Sequence, residues 1–200
     1  MSSTNRGSQR SPADYYPTPA WCVHRLLETI ELPGGVWLEP CAGEGAIIDA
    51  VRAVRQDVDW HAIELRDDCR ETLRAKVRDP ANVRIDNLLT MEGAQQERYR
   101  VLITNPPFRL AQEIVEQSFA LAETCILLLR LNFLASARRA SLMRKFPPDV
   151  YVLPNRPSFS GGGKTDSVEY AWFVWHPRTA RAHGVLQVLS PTPSRERRIL

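Results

Sequence analysis

The sequence predicts an α/β fold: a mostly parallel sheet of seven strands with helices on both faces. Three observations predict it. Short apolar runs alternate with segments of helical spacing through the first two thirds of the chain, and strand and helix in turn build a parallel sheet covered on both sides. Two hundred residues suit one domain with a sizeable core. The last apolar runs are joined without an obvious long helix, so they can close the sheet with an antiparallel edge.

The elements follow in order. Residues 1–13 are rich in Ser, Arg, Gly and Asn without an apolar period, and are expected to form a mobile tail. In TPAWCVHRLLETI, Thr18 reads as a helix N-cap and Pro19 as the first helical residue. Trp21, Val23, Leu26, Leu27 and Ile30 then recur at helical spacing. Leu32 to Gly35, LPGG, ends that helix. Strands are expected at 36–40, 58–65, 83–86, 99–104, 124–131, 149–153 and 168–175, and helices at 45–54, 66–77 and 109–122. The folded domain is expected over 14–176, with 177–200 a partly flexible extension.

Composition narrows the function classes. The net charge of +3 and pI of about 8.8 are compatible with a nucleic-acid partner without being diagnostic. The longest apolar run, Cys125 to Ala135, is interrupted by Arg130 and Asn132 and is too short to span a bilayer. The N-terminus has no apolar signal segment. A cytoplasmic protein without a membrane partner is expected. Cys22, Cys41, Cys69 and Cys125 form no CxxC pair, and the four histidines have no ligand spacing, so no metal is expected.

In open α/β sheets, ligands bind outside the carboxyl ends of the strands. After the first strand comes EPCAGEGA, Glu39 to Ala46. Gly43 and Gly45 let the turn pass close to a ligand and open a helix. Glu39 and Glu44 would repel a pyrophosphate, so a cationic or zwitterionic ligand fits better. The second strand ends in Glu64, placed to hold ribose hydroxyls, and the third in Asp86, able to accept from an adenine amine. The fourth runs into TNPPF, where two prolines stop a strand and fix a stiff turn. Any one of these acids alone reads as a helix or turn cap; four strand ends in register read as a nucleoside site.

These residues resemble the S-adenosylmethionine-dependent amino-methyltransferases of nucleic-acid bases, a Rossmann-like class I fold. LEPCAGEGA resembles the first motif, which wraps the methionine part of the cofactor; IEL and IDNL resemble the second and third. TNPPF resembles the catalytic fourth motif, D/N/S-P-P-Y/F/W. YYPTPAW precedes the first motif as in the gamma order, and RPSFSGGGKTDSVEYAWFVW resembles a later segment of adenine-N6 enzymes, many from phages. The resemblance covers about residues 14–176. It implies S-adenosyl-L-methionine bound by Tyr16, Thr18, Pro19, Glu39, Pro40, Cys41, Gly43, Gly45, Glu64, Leu65, Asp86, Asn87 and Asn105. It implies catalysis by Asn105, Pro106, Pro107 and Phe108 on the N6 amine of adenine in DNA.

The chemistry needs such residues. A base amine is a poor nucleophile because its lone pair is delocalised into the ring. The Asn105 oxygen and the Pro106 carbonyl can accept its N–H bonds and favour a pyramidal nitrogen. Phe108 offers a stacking face, and a base within a duplex must flip out to reach it. Phe159 is either a second stacking surface or core. Lys164, in the glycine-rich 161–166 loop, is placed to contact phosphate. Arg138, Arg139, Arg144 and Lys145 make either a DNA-backbone patch or a solvated helix face.

Gamma enzymes commonly carry an added recognition domain, and little follows His176 here. Short or low sequence specificity is therefore expected, in a monomer or weak dimer. The same NPP motif serves RNA-adenine, N4-cytosine and protein-glutamine enzymes, with RNA adenine the closest rival. An inactive nucleic-acid-binding protein of the same fold is the non-enzyme alternative.

Overall fold

The computed structural model describes residues 17–91, 98–159 and 165–197. One sheet organises them. Its strands are β1 (Gly35–Glu39), β2 (Val58–Glu64), β3 (Val83–Ile85), β4 (Tyr99–Thr104), β5 (Ala122–Arg130), β6 (Asp149–Val152), β7 (Tyr170–Trp175) and β8 (Leu186–Val188). The order across the sheet is β3-β2-β1-β4-β5-β7-β6-β8. Strands β3 through β5 run parallel. β7 is reversed and lies between β5 and β6, pairing antiparallel with both.

Successive strand residues point to opposite faces, and the core divides accordingly. Trp37 packs on one side with α1 (Ala20–Leu27), α2 (Ala46–Arg52) and α3 (Arg70–Arg74), through Trp21, Ile47 and Leu73. Leu38 packs on the other with α4 (Ala111–Leu121) and α5 (Ala140–Lys145), through Ile114 and Leu142. Five of the six β7 side chains are aromatic or β-branched, and the whole strand is buried. β5 reads as an almost continuous apolar run because both of its faces are covered.

The structure corrects the sequence reading in several places. Among the described residues the sheet has eight strands rather than seven. The added one, β8, pairs parallel with β6 and comes from the segment expected as a partly flexible extension. That segment is tied back to the domain. Asp149 accepts from the Arg181 guanidinium at 2.6 Å and from the Val185 N–H at 2.7 Å, and Asn155 Oδ1 accepts from the Thr192 N–H at 2.7 Å. Leu189 and Thr192 are buried. The first helix begins one residue later than expected. Pro19 occupies its N-cap in an extended conformation, and no side chain caps it. The expected 66–77 helix is a 3₁₀ turn at Asp67–Cys69 followed by the short α3.

Among the described residues, no helix is long and apolar enough to cross a membrane, and no group of three or more His, Cys, Asp and Glu could hold a metal ion.

Candidate active site at the strand carboxyl ends

A cavity opens above the carboxyl ends of β1, β2, β3 and β4. Glu39, Glu64, Asp86 and Asn105, the four strand-end residues, all line it. Its empty space, the open solvent at its mouth included, is about 870 Å³.

The first wall is the turn after β1. Pro40, Cys41 and Gly43 line the cavity. Gly43 has φ 54° and Gly45 φ 79°, both left-handed, where a side chain is strained. Gly45 is the N-cap of α2 and does not line the cavity; it shapes the turn. The Gly43 N–H donates to Glu64 Oε2 at 2.7 Å, so the end of β2 holds the β1 turn in place. Glu64 Oε1 also accepts from the Arg66 N–H at 3.0 Å, with the Arg66 guanidinium 3.5 Å away.

Glu39 is different. It is 2% exposed, and its Oε2 is buried with no hydrogen-bond partner. Burial raises its pKa well above the usual carboxylate range, against the opposing Ile48 backbone N–H, and Glu64 pushes it higher still. An unmet carboxylate oxygen on the wall of a cavity asks for a donor or a cation. Burial also pushes the Cys41 thiol up to about 12, so it is no nucleophile at neutral pH.

The β3 end contributes Asp86 and Asn87, whose side chains also order their own turn by accepting from the Asn87 and Leu89 N–H groups. Leu65 is 66% exposed and reaches the rim. From β4, Asn105 and Pro107 face the cavity, while Pro106 is buried and Phe108 stands outside the lining. Two lining residues, Ile114 of α4 and Ile47 of α2, were not legible as site residues in the sequence; their helical spacing marked them only as core.

Thr18 is buried on the cavity wall and caps no helix. Besides Gly45, Pro106 and Phe108, four further expected site residues stand outside the cavity lining. Pro19 does not reach the cavity. Phe159 is 8% exposed and packs edge-on against Tyr170, with ring centroids 5.2 Å apart, so it is core. Arg138 pairs with Glu113 at 3.1 Å. Arg139 donates to the Phe133 carbonyl at 2.7 Å and covers the Phe133 ring. Neither arginine lines the cavity. Tyr16 and Lys164 lie outside the described residues.

No protein-family model matches the chain, and no curated protein does. Solved structures match over most of its length. One is described as a predicted O-methyltransferase from Agrobacterium tumefaciens, with a TM-score of 0.59, 16% identity and 85% of each chain covered. Another is the 23S rRNA methyltransferase ErmE, with a TM-score of 0.56, 20% identity, 82% of this chain and 69% of that one covered. A dimethyladenosine transferase from Plasmodium falciparum has a TM-score of 0.57 at 10% identity, covering 82% of this chain and 64% of that one.

The fold is the Rossmann-like methyltransferase fold. In this fold the cavity lies where the strand-end rule places a ligand. Its reversed β7 brings Tyr170 to the carboxyl end of β5, opposite Arg130, beside the NPPF turn.

Proposed function

We propose that the chain transfers a methyl group from S-adenosyl-L-methionine to the N6 amine of adenine in DNA. One observation carries this reading: Asn105 and Pro107 of the NPPF turn share a cavity with the carboxylates Glu39, Glu64 and Asp86. That set of acceptors fits a cationic nucleoside. The unmet Glu39 oxygen suits an ammonium or sulfonium charge, Glu64 suits ribose hydroxyls and Asp86 an adenine amine. Bound there, S-adenosylmethionine would supply an electrophilic methyl group for direct transfer without a covalent enzyme intermediate: the N–C bond forms as the sulfonium S–C bond breaks, a neutral thioether leaves, and the methylated amine gives up one proton to solvent.

The chain's own residues do the rest. Asn105 Oδ1 and the Pro106 carbonyl accept the two N–H bonds of the target amine and steady the positive charge that grows on nitrogen. Consecutive prolines hold those acceptors still, because each ring fixes its φ. Phe108, backed by Tyr170 at 5.5 Å, offers the target base a face. The apolar wall from Leu110 and Ile114 limits water at the reaction centre.

ErmE is described as a 23S rRNA methyltransferase and the P. falciparum protein as a dimethyladenosine transferase; these descriptions support RNA adenine as the second reading. A methyl-transfer assay on unmethylated DNA and on RNA, digested to nucleosides and read by mass spectrometry, separates them. N6-methyladenine in DNA is the expected product, spread over many or short sites. Product in RNA alone would move the substrate and keep the chemistry; no product in either would overturn the reading.

A further inference from the structure

Phe108 is the base-stacking ring of the proposed methyl transfer, and the role inferred for its neighbour Arg130 rests on that reading. The ring is not open. The guanidinium of Arg130 sits 4.6 Å from its centroid. Tyr170 supports the ring at 5.5 Å, tilted by 45°, and Phe159 lies behind Tyr170 at 5.2 Å. That backing is fixed: Tyr170 is fully buried, and its hydroxyl donates to Asp166 Oδ2 at 2.6 Å. Arg130, by contrast, is exposed at the last position of β5, on a long stem. Among the described residues it forms no ion pair with a carboxylate, unlike Arg138 and Arg156; besides the ring, its guanidinium meets the Tyr170 hydroxyl.

A guanidinium is flat and covers an aromatic face much as a base does. At an exposed site such a cation–π contact is weaker than the stacking of a base on an aromatic ring. An arriving base can therefore replace it. The released guanidinium remains tethered at the rim, where the backbone of an extruded nucleotide brings phosphate charge.

We propose that Arg130 is an exchangeable cover on Phe108. It shields the ring until the target base arrives, and then turns to the phosphate backbone of the same strand. This makes Arg130 a substrate-binding residue, recognising the nucleic-acid backbone rather than the base edge.

The test compares full-length wild type with Arg130→Ala, Arg130→Gln and Arg130→Lys on adenine-containing DNA at several salt concentrations. Arg130→Ala should raise KM about tenfold, the worth of one charge-assisted contact, with the loss falling on KM rather than kcat. The slope of log affinity against log salt should fall by about one. Arg130→Gln should lose the salt slope in the same way, and Arg130→Lys should keep it. Unchanged KM and salt slope in Arg130→Ala would overturn the assignment while leaving the methyltransferase reading intact. An equal loss in Arg130→Lys and Arg130→Ala, with a lowered Tm and an unchanged slope, would assign Arg130 a structural role and overturn it too. If wild type methylates neither DNA nor RNA, the functional reading fails and takes this inference with it.

Discussion

Glu39 is a carboxylate held away from water, with Glu64 close enough to repel its charge. Its folded-state pKa is raised above the unfolded value. Its contribution to stability is therefore complete below the unfolded carboxylate pKa, and is lost as pH climbs through the raised folded value. Glu39→Gln removes that loss. The variant should unfold about 2–4 °C higher than wild type at pH 8, as for roughly 1 kcal/mol in a domain of this size, and the gap should close toward pH 4. A cationic methyl donor should reverse the preference. On the proposed reading it binds best to ionised Glu39, so its affinity should rise with pH up to the raised pKa and then level off. Calorimetry in buffers of different ionisation enthalpy should show proton release on binding, and Glu39→Gln should abolish it. At Asn105 the expected split runs the other way. Asn105→Ala should lower kcat by about 10²–10³-fold, as when one preorganised partner of the developing charge is removed, with donor binding largely kept. Transfer that survives this change would remove Asn105 from the catalytic role.

Turns, more than regular elements, decide whether this site was legible in the sequence. The strand ends carrying Glu39, Glu64, Asp86 and Asn105 could be read because each closes a short apolar run, and all four line one cavity. The glycine turn was legible for a related reason. Gly45 has φ 79°, and a Cβ there would meet Lys76 Cδ at 3.0 Å and Leu73 Cδ2 at 3.3 Å. Gly45→Ala should therefore cost about 1–2 kcal/mol from the left-handed backbone alone, seen as a lower denaturant midpoint with an unchanged m-value. Other positions were ambiguous because local pattern does not encode tertiary placement. Thr18 before a proline matches a cap signal, yet its side chain bonds no helix N–H and instead forms wall. A lone aromatic such as Phe159 reads the same in a core or on a binding face. Arg130 showed only as a break in an apolar run; its position over Phe108 depends on the β4–β5 pairing.

At the scale of the molecule, the C-terminal segment closes the sheet. β8 is exposed along its length and sits among polar and proline residues, so no alternation marked it. What holds it is Asp149, which is 6% exposed and ties down both Arg181 and the Val185 N–H. Asp149→Ala strands those donors. It should cost about 1–3 kcal/mol and speed amide hydrogen exchange in 185–189 more than in β1 or β4. Uniform exchange across the sheet would show that β8 is not separately anchored.

The insertion of β7 between β5 and β6 bears on synthesis at the ribosome. β5 is nine residues long and all but two are fully enclosed, yet its antiparallel neighbour Tyr170 follows Arg130 by forty positions. As the nascent chain grows, β5 can join β4 at once but must wait for β7 with one apolar margin unpaired. An open margin of that kind recruits other chains. Polypeptides released before residue 170 should therefore aggregate or be captured by chaperones, whereas release after Trp175 closes that margin.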